Sequence, residues 1–253
     1  MKIGILEAGL LNEKVAGRFE PYPVMFKALL DKAGLLDKFD EALTYQTYSV
    51  INGEMPASID DCDGWLITGS RHGAYEKLDW MLSLESFIRT LYEEKKPLVG
   101  ICFGHQIIAQ ALGGLVTKSD KGWGIGLHHY HLNATHSWMG DTTASVPEKI
   151  GIYAFHQDQI SRLPATASLL ISSGFCPYAG LTYGDSIMSV QAHPEFEASY
   201  EHALMDMYGG NVVPEAIVAN ALVGMQSADS KADTQVLANW IAHFFLKQRQ
   251  TKQ

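Results

Sequence analysis

Cysteine is scarce: 253 residues hold three, Cys62, Cys102 and Cys176, an odd number at wide spacing. Such usage suits reduced thiols and argues against a disulfide framework or a cysteine-rich zinc cluster. Basic charge is scarce too. Nineteen Lys and Arg against 28 Asp and Glu leave a formal net charge of -9, and a chain without a basic face cannot release the counterions that drive binding to a nucleic-acid backbone. No apolar run is long enough to span a bilayer, and Met1-Lys2 leads directly into Ile3-Gly4-Ile5-Leu6 without a basic segment or a signal-length apolar stretch. The expectation is a cytoplasmic protein that engages neither nucleic acid nor membrane. Linkers, repeats and low-complexity tracts are missing, and so is a phosphate-binding Gly-x-x-x-x-Gly-Lys-Ser/Thr loop. Gly122-x-Gly124-x-Gly126 lacks the spacing of a dinucleotide fingerprint and opens no helix, so it reads as loop backbone and implies no NAD.

What is present is a chain with 47% hydrophobic and 19% charged residues, enough to bury a substantial core. Short apolar runs alternate with helical patterns in the first half: Lys2–Leu6 then Pro23–Ala33; Leu43–Val50; Gly64–Thr68 then Trp80–Glu94; Leu98–Ile101 then His105–Leu112. That alternation predicts parallel strands joined by helical crossovers. The second half offers strands at Leu127–Leu132, Ile152–Phe155, Ser168–Ser173, Ala179–Tyr183 and Ile187–Gln191, closely spaced as in an antiparallel extension. Helices are expected at Ala198–Met207, Pro214–Gly224 and Thr234–Leu246, with Lys247–Gln253 as a frayed polar tail. The fold class read from this is α/β, with a mostly parallel central sheet, helices on both faces and additional antiparallel strands, all in one domain over 1–253.

Leu98-Val99-Gly100-Ile101-Cys102-Phe103-Gly104-His105-Gln106 sets a cysteine between a buried strand and a helix that stops at Gly113-Gly114. A sharp strand-to-helix turn of this kind projects the side chain. Glycines two residues to either side let the backbones pass closely, and a helix N-terminus favours a thiolate. Cys62 and Cys176 read instead as small buried hydrophobes. A cysteine nucleophile needs a proton acceptor that later protonates the leaving nitrogen. His193, at the end of the strand pattern Ser189-Val190-Gln191-Ala192-His193-Pro194-Glu195, is the candidate, and Glu195 can share its face and hold its tautomer.

The combination GICFGHQIIAQALGG, followed after a strand by His-Pro-Glu-Phe, resembles the class I, triad-type glutamine amidotransferases, which include the glutaminase domain of GMP synthase. The resemblance implies a flavodoxin-like fold, with Cys102 as nucleophile, His193 as base and Glu195 as the orienting acid. It places Gln106 against bound glutamine and the Phe103 N–H in the oxyanion hole. A second donor comes from the loop after an earlier strand, here Thr68-Gly69-Ser70-Arg71, with Ser70 where the family usually has glycine and Gly69 adjacent. Two further departures lie in the substrate pocket: Lys121-Gly122-Trp123-Gly124 has lost an acid, and Phe155-His156-Gln157-Asp158 replaces Ser-His-Gly-Asp. Trp123 and Gln157 are the substrate-binding candidates there.

The activity so implied is release of ammonia from the glutamine side chain through a γ-glutamyl thioester, without metal or organic cofactor. A separate synthase subunit would take the ammonia, because the chain has no region for a synthetase of its own. The alternative is a standalone hydrolase of γ-glutamyl peptides or conjugates, and behind it a non-catalytic regulatory protein on the same fold. His128-His129-Tyr130-His131 reads as a half-exposed strand, since no Cys or carboxylate stands at ligand spacing. Arg71-His72-Gly73 reads as an ordinary solvated loop at least as readily as a substrate-facing one.

Overall fold

The computed structural model describes residues 1–33, 43–140, 146–227 and 231–250. Four strands begin the sheet: β1 (Lys2–Leu6), β2 (Thr44–Tyr48), β3 (Gly64–Ile67) and β4 (Leu98–Ile101). Between them lie α1 (Tyr22–Asp31) and α2 (Asp79–Glu93), and α3 (Phe103–Ala111) follows β4. The chain continues through β5 (Leu115–Lys118), β6 (Gly124–Leu132), β7 (Lys149–His156), β8 (Asp158–Arg162), β9 (Ala167–Ser172), β10 (Gly180–Tyr183) and β11 (Ile187–Val190). Helices α4 (Ala198–Tyr208), α5 (Glu215–Met225) and α6 (Thr234–Gln250) close it.

Nine strands form one sheet in the order β2-β1-β3-β4-β11-β10-β9-β6-β7. From β2 to β11 the neighbours are parallel; from β11 to β7 they are antiparallel. β3, β4 and β11 are buried at every residue, as strands must be when both faces are covered. One face sets Ile3, Ile5, Leu66, Val99 and Val190 against α1 and α6. The other sets Trp65, Ile67, Leu98 and Ile187 against α2 and α3. In α2 the buried Met81, Leu84, Ile88 and Leu91 form the stripe that a helix lays on a sheet. Helices α4 and α5 pack on the antiparallel wing, against β7 and β6.

The structure departs from expectation in four places. β5 and β8 pair antiparallel in a separate two-stranded sheet, which periodicity missed because each strand is short and β5 buries Val116 alone. β6 begins at Gly124, so two of the three glycines read as loop are strand. β7 runs Lys149–His156, beginning three residues before the expected Ile152 and ending one after Phe155. The polar end of α6 stays helical to Gln250, not frayed from Lys247, while 251–253 lie outside the described residues.

Candidate active site

β4 ends at Ile101 and α3 begins at Phe103, so Cys102 alone must turn the chain. It does so at φ 51°, ψ −102°, a conformation that costs a non-glycine residue roughly 1–3 kcal/mol. Two backbone bonds hold it: Cys102 N–H to Val190 C=O at 2.9 Å, and Gln106 N–H to Cys102 C=O at 3.0 Å. The flanking glycines are sterically required. A Cβ at Gly104 would lie 2.4 Å from the Ile67 carbonyl oxygen, and one at Gly100 would lie 2.6 Å from the Gly104 carbonyl. The turn leaves the first N–H groups of α3, beginning with Phe103, without intrahelical carbonyls.

β11 runs parallel to β4 with Val190 beside Ile101, so the segment leaving β11 emerges next to the elbow. Gln191 donates from Nε2 to Cys102 Sγ at 3.5 Å. His193 is fixed by its own N–H, which donates to Tyr153 C=O at 2.8 Å. Its ring lies beside Cys102, close enough for the sulfur to act on its charge, and Nδ1 meets Glu195 Oε1 at 2.7 Å. Burial alone would push the imidazolium down; the Glu195 carboxylate and the Cys102 sulfur outweigh it and hold His193 well above the ordinary histidine value. The ring stacks on Phe196, centroids 3.9 Å apart and planes 9° apart. Phe196 is in turn edge-on to Tyr200 at 4.6 Å and stacked with Tyr22, and the two tyrosine hydroxyls meet at 3.1 Å. This aromatic box removes the rotational freedom of the imidazole.

The loop after β3 closes the other side. Thr68 Oγ1 accepts the Ala8 N–H and donates to Gly69 C=O, both at 3.0 Å. A Cβ at Gly69 would sit 2.9 Å from His193 Cε1 and 3.8 Å from Cys102 Cβ, so this loop lies directly on the Cys102 and His193 side chains. Gly9 lets it do so: a Cβ there would fall 2.5 Å from the Gly69 carbonyl oxygen. Beyond, Ser70 Oγ accepts the His72 N–H, and Glu76 accepts the Gly73 N–H at 2.7 Å.

These parts open into a cavity of about 470 Å³. Ser70, Cys102, Gln106, Trp123, Gln157 and His193 line it, whereas Gly69, Phe103 and Glu195 stand behind the lining. Gln106 donates from Nε2 to Asp158 C=O at 2.9 Å and to Gln191 Oε1 at 3.1 Å, so its amide oxygen is left to accept from a ligand. The Tyr75 hydroxyl lies near the Asp158 carboxylate in the cavity wall, and burial together with that charge pushes the Tyr75 hydroxyl up to about 12. Asp158, Gln191, Phe196, Tyr22, Tyr75 and Thr68 were not singled out from sequence. Gln191 could have been, standing two residues before His193 in the segment that leaves β11; the tyrosines carry no local signal.

A model of the class-I glutamine amidotransferase family matches residues 45–208. The chain is 33% identical over 173 residues to gamma-glutamyl peptidase 3 of Arabidopsis thaliana, spanning 66% of this chain and 69% of that one. With gamma-glutamyl peptidase 2 of the same plant it shares 31% over 215 residues, 84% of this chain and 85% of the other. A GMP synthase of Dehalococcoides mccartyi is 37% identical over 106 residues, 42% of this chain but 19% of that protein. Among solved structures, a glutamine amidotransferase from Methylobacillus flagellatus superposes with a TM-score of 0.69 at 20% identity, covering 98% of this chain and 93% of its own; that likeness speaks to the fold alone. A family match across most of the chain, with relatives above 30% identity over most of their length, leaves one assignment: the chain belongs to the class-I glutamine amidotransferase family.

Proposed function

We propose that the protein is a thiol hydrolase of γ-glutamyl amide bonds, working through Cys102, His193 and Glu195. The observation that carries the reading is the buried His193 ring bonded through Nδ1 to Glu195 Oε1 at 2.7 Å and set beside the Cys102 sulfur. In the first half-reaction the Cys102 thiolate attacks the γ-carbonyl carbon, and its electron pair forms the C–S bond. The carbonyl pair moves to oxygen, which the N–H groups of Phe103 and Ser70 receive, with Gly69 shaping the loop. Each such donor is worth roughly 100- to 1,000-fold in turnover. Protonated His193 gives its proton to the departing nitrogen as the C–N bond breaks. In the second half-reaction His193 takes a proton from water, whose oxygen attacks the thioester; glutamate leaves and the thiolate returns. Glu195 keeps the proton of His193 on Nδ1 and stabilises its charge throughout. No step calls on a cofactor.

The sequence put glutamine first among substrates; the pocket favours a γ-glutamyl peptide. A cavity of about 470 Å³ lies in the range that encloses ligands much larger than one amino acid. Trp123, Phe155, Leu204, Met207, Tyr208 and Val212 form an apolar wall that departing ammonia cannot use. Gamma-glutamyl peptidases are also among the relatives matched over most of their length. Glutamine hydrolysis for a partner synthase is the second reading, supported by Gln106 and the partial match to GMP synthase. The test is steady-state hydrolysis of glutamine and of γ-glutamyl dipeptides, with glutamate and ammonia measured separately. Glutamate without ammonia from the dipeptides is the expected result. Turnover of neither by folded protein with reduced Cys102 would overturn the hydrolase reading.

A further inference from the structure

The loop that shapes the oxyanion site carries a cation with no part in the chemistry above. Arg71 follows Ser70, lines the cavity and is exposed to it and to solvent. Among the described residues its guanidinium has no hydrogen bond or ion pair. The acids nearby are engaged elsewhere. Glu76 holds the Gly73 N–H and the His72 ring, and Asp158 lies beside the Tyr75 hydroxyl and in the field of Lys118. The cavity wall thus carries two cations, Lys118 facing an acid and Arg71 facing none. In a chain of net charge -9, an unpaired guanidinium in a cavity wall is a local site for an anion. Its planar fork matches a carboxylate in two parallel bonds and never loses its charge.

The charges of the two substrate classes can be set against this wall. Free glutamine brings one carboxylate and one ammonium, the same two signs that Lys118 and Asp158 already present to each other in the wall. A γ-glutamyl peptide brings a second carboxylate. In a dipeptide that group stands two bonds from the scissile nitrogen, close to the carbonyl that Ser70 receives and within the span of a long side chain rooted at the next residue.

We infer that Arg71 binds the carboxylate of the residue released, so that the protein selects γ-glutamyl peptides whose leaving residue ends in a free carboxylate. The inference rests on the γ-glutamyl hydrolase reading for its substrate class and adds the residue that discriminates within it. Arg71 here is a specificity residue: it touches the substrate away from the reacting atoms, and its loss should appear in KM more than in kcat.

The test compares γ-glutamylglycine, its neutral C-terminal amide and glutamine as substrates for the wild type, Arg71→Gln and Arg71→Lys. The wild type should prefer the free carboxylate over the amide by about 10- to 100-fold in kcat/KM, the range of a charge-assisted bond. Arg71→Gln should erase that preference through KM, leaving the amide and glutamine as in the wild type, and Arg71→Lys should restore part of it. An unchanged preference in Arg71→Gln, or an equal fall on all three substrates, would overturn the inference; the latter marks a merely structural role. Calorimetry with γ-glutamylglycine on Cys102→Ala, with and without Arg71→Gln, separates this from the reaction itself. Binding that depends on Arg71 with no wild-type turnover would sustain the site and sink the hydrolase reading, and binding indifferent to Arg71 would sink the site.

Discussion

At the scale of single residues the proposed chemistry concentrates in three side chains whose losses should differ. Cys102→Ala or Cys102→Ser removes the attacking atom and only one atom or none from the packed interior, at a turn that also lines the cavity. Turnover should fall to background while circular dichroism and melting temperature stay near wild type; near wild-type hydrolysis by the folded variant would end the mechanism. His193→Ala should be nearly as damaging. Glu195→Gln should leave more activity, since the carboxylate orients the base without itself moving a proton. Single-turnover acylation equally fast in His193→Ala and wild type would require a different base. Gly69 offers a sharper probe. A methyl there would lie 2.9 Å from His193 Cε1 and must displace the ring, and misplacement of the order of 1 Å costs about 100-fold in rate. Ser70→Ala is the control. It keeps the N–H that the mechanism uses and loses only a hydroxyl that accepts from His72, so activity comparable in Gly69→Ala and Ser70→Ala would remove the loop from the reaction.

At the scale of elements, α4 is tied to the antiparallel wing by a buried acid. Glu201 accepts the Gly126 N–H of β6 at 2.7 Å through Oε1, while Oε2 has no partner among the described residues. Burial raises its carboxyl to about 8, well above its unfolded value. The folded protein therefore holds a proton that the unfolded chain has released between about pH 4.5 and 8. Stability should fall as pH rises through that window, by at most about 1.4 kcal/mol per pH unit. Glu201→Gln keeps an acceptor for Gly126 and cannot ionise. Its melting temperature should match the wild type near pH 5 and exceed it above pH 8; parallel melting curves for the two from pH 5 to 9 would refute the account. The same element scale shows what sequence could and could not give. The strand, elbow and helix from Leu98 to Ala111 were legible because they rest on local spacing, two glycines about a cysteine. The β5 and β8 pair was not, because each strand buries so little that its pairing depends on partners forty residues apart in the chain.

Over the whole molecule, placement of the thiols decides which of them can react. Cys62 and Cys176 are buried, and burial pushes both up, Cys176 to about 12. Only Cys102 of the three lines the cavity. A glutamine-like electrophile should label Cys102 well ahead of the others by peptide mapping, and comparable labelling of Cys176 would mean that the cavity does not govern access. The long-range part of the site also explains the limits of reading by motif. His193 and Glu195 were legible as a pair because they sit two apart in the chain, although a turn over Pro194 and Glu195, and not the extended backbone expected, brings the carboxylate to the ring. Thr68, Tyr22 and Tyr200 were silent, since a threonine that pins a loop and tyrosines that box an imidazole differ in no local way from any others.

The parallel pairing of β4 with β11 has a consequence for the order of synthesis. The elbow bearing Cys102 leaves the ribosome long before its neighbour in the sheet, because the entire antiparallel wing must be made first and β11 then inserted between β4 and β10. Contacts so distant along the chain are slow to form. Until they do, the sulfur has neither His193 nor the Val190 carbonyl that holds its strained turn. A nascent or truncated chain ending before β11 thus carries the nucleophile without its base, and the reactive centre comes into being only when the last strand is in place.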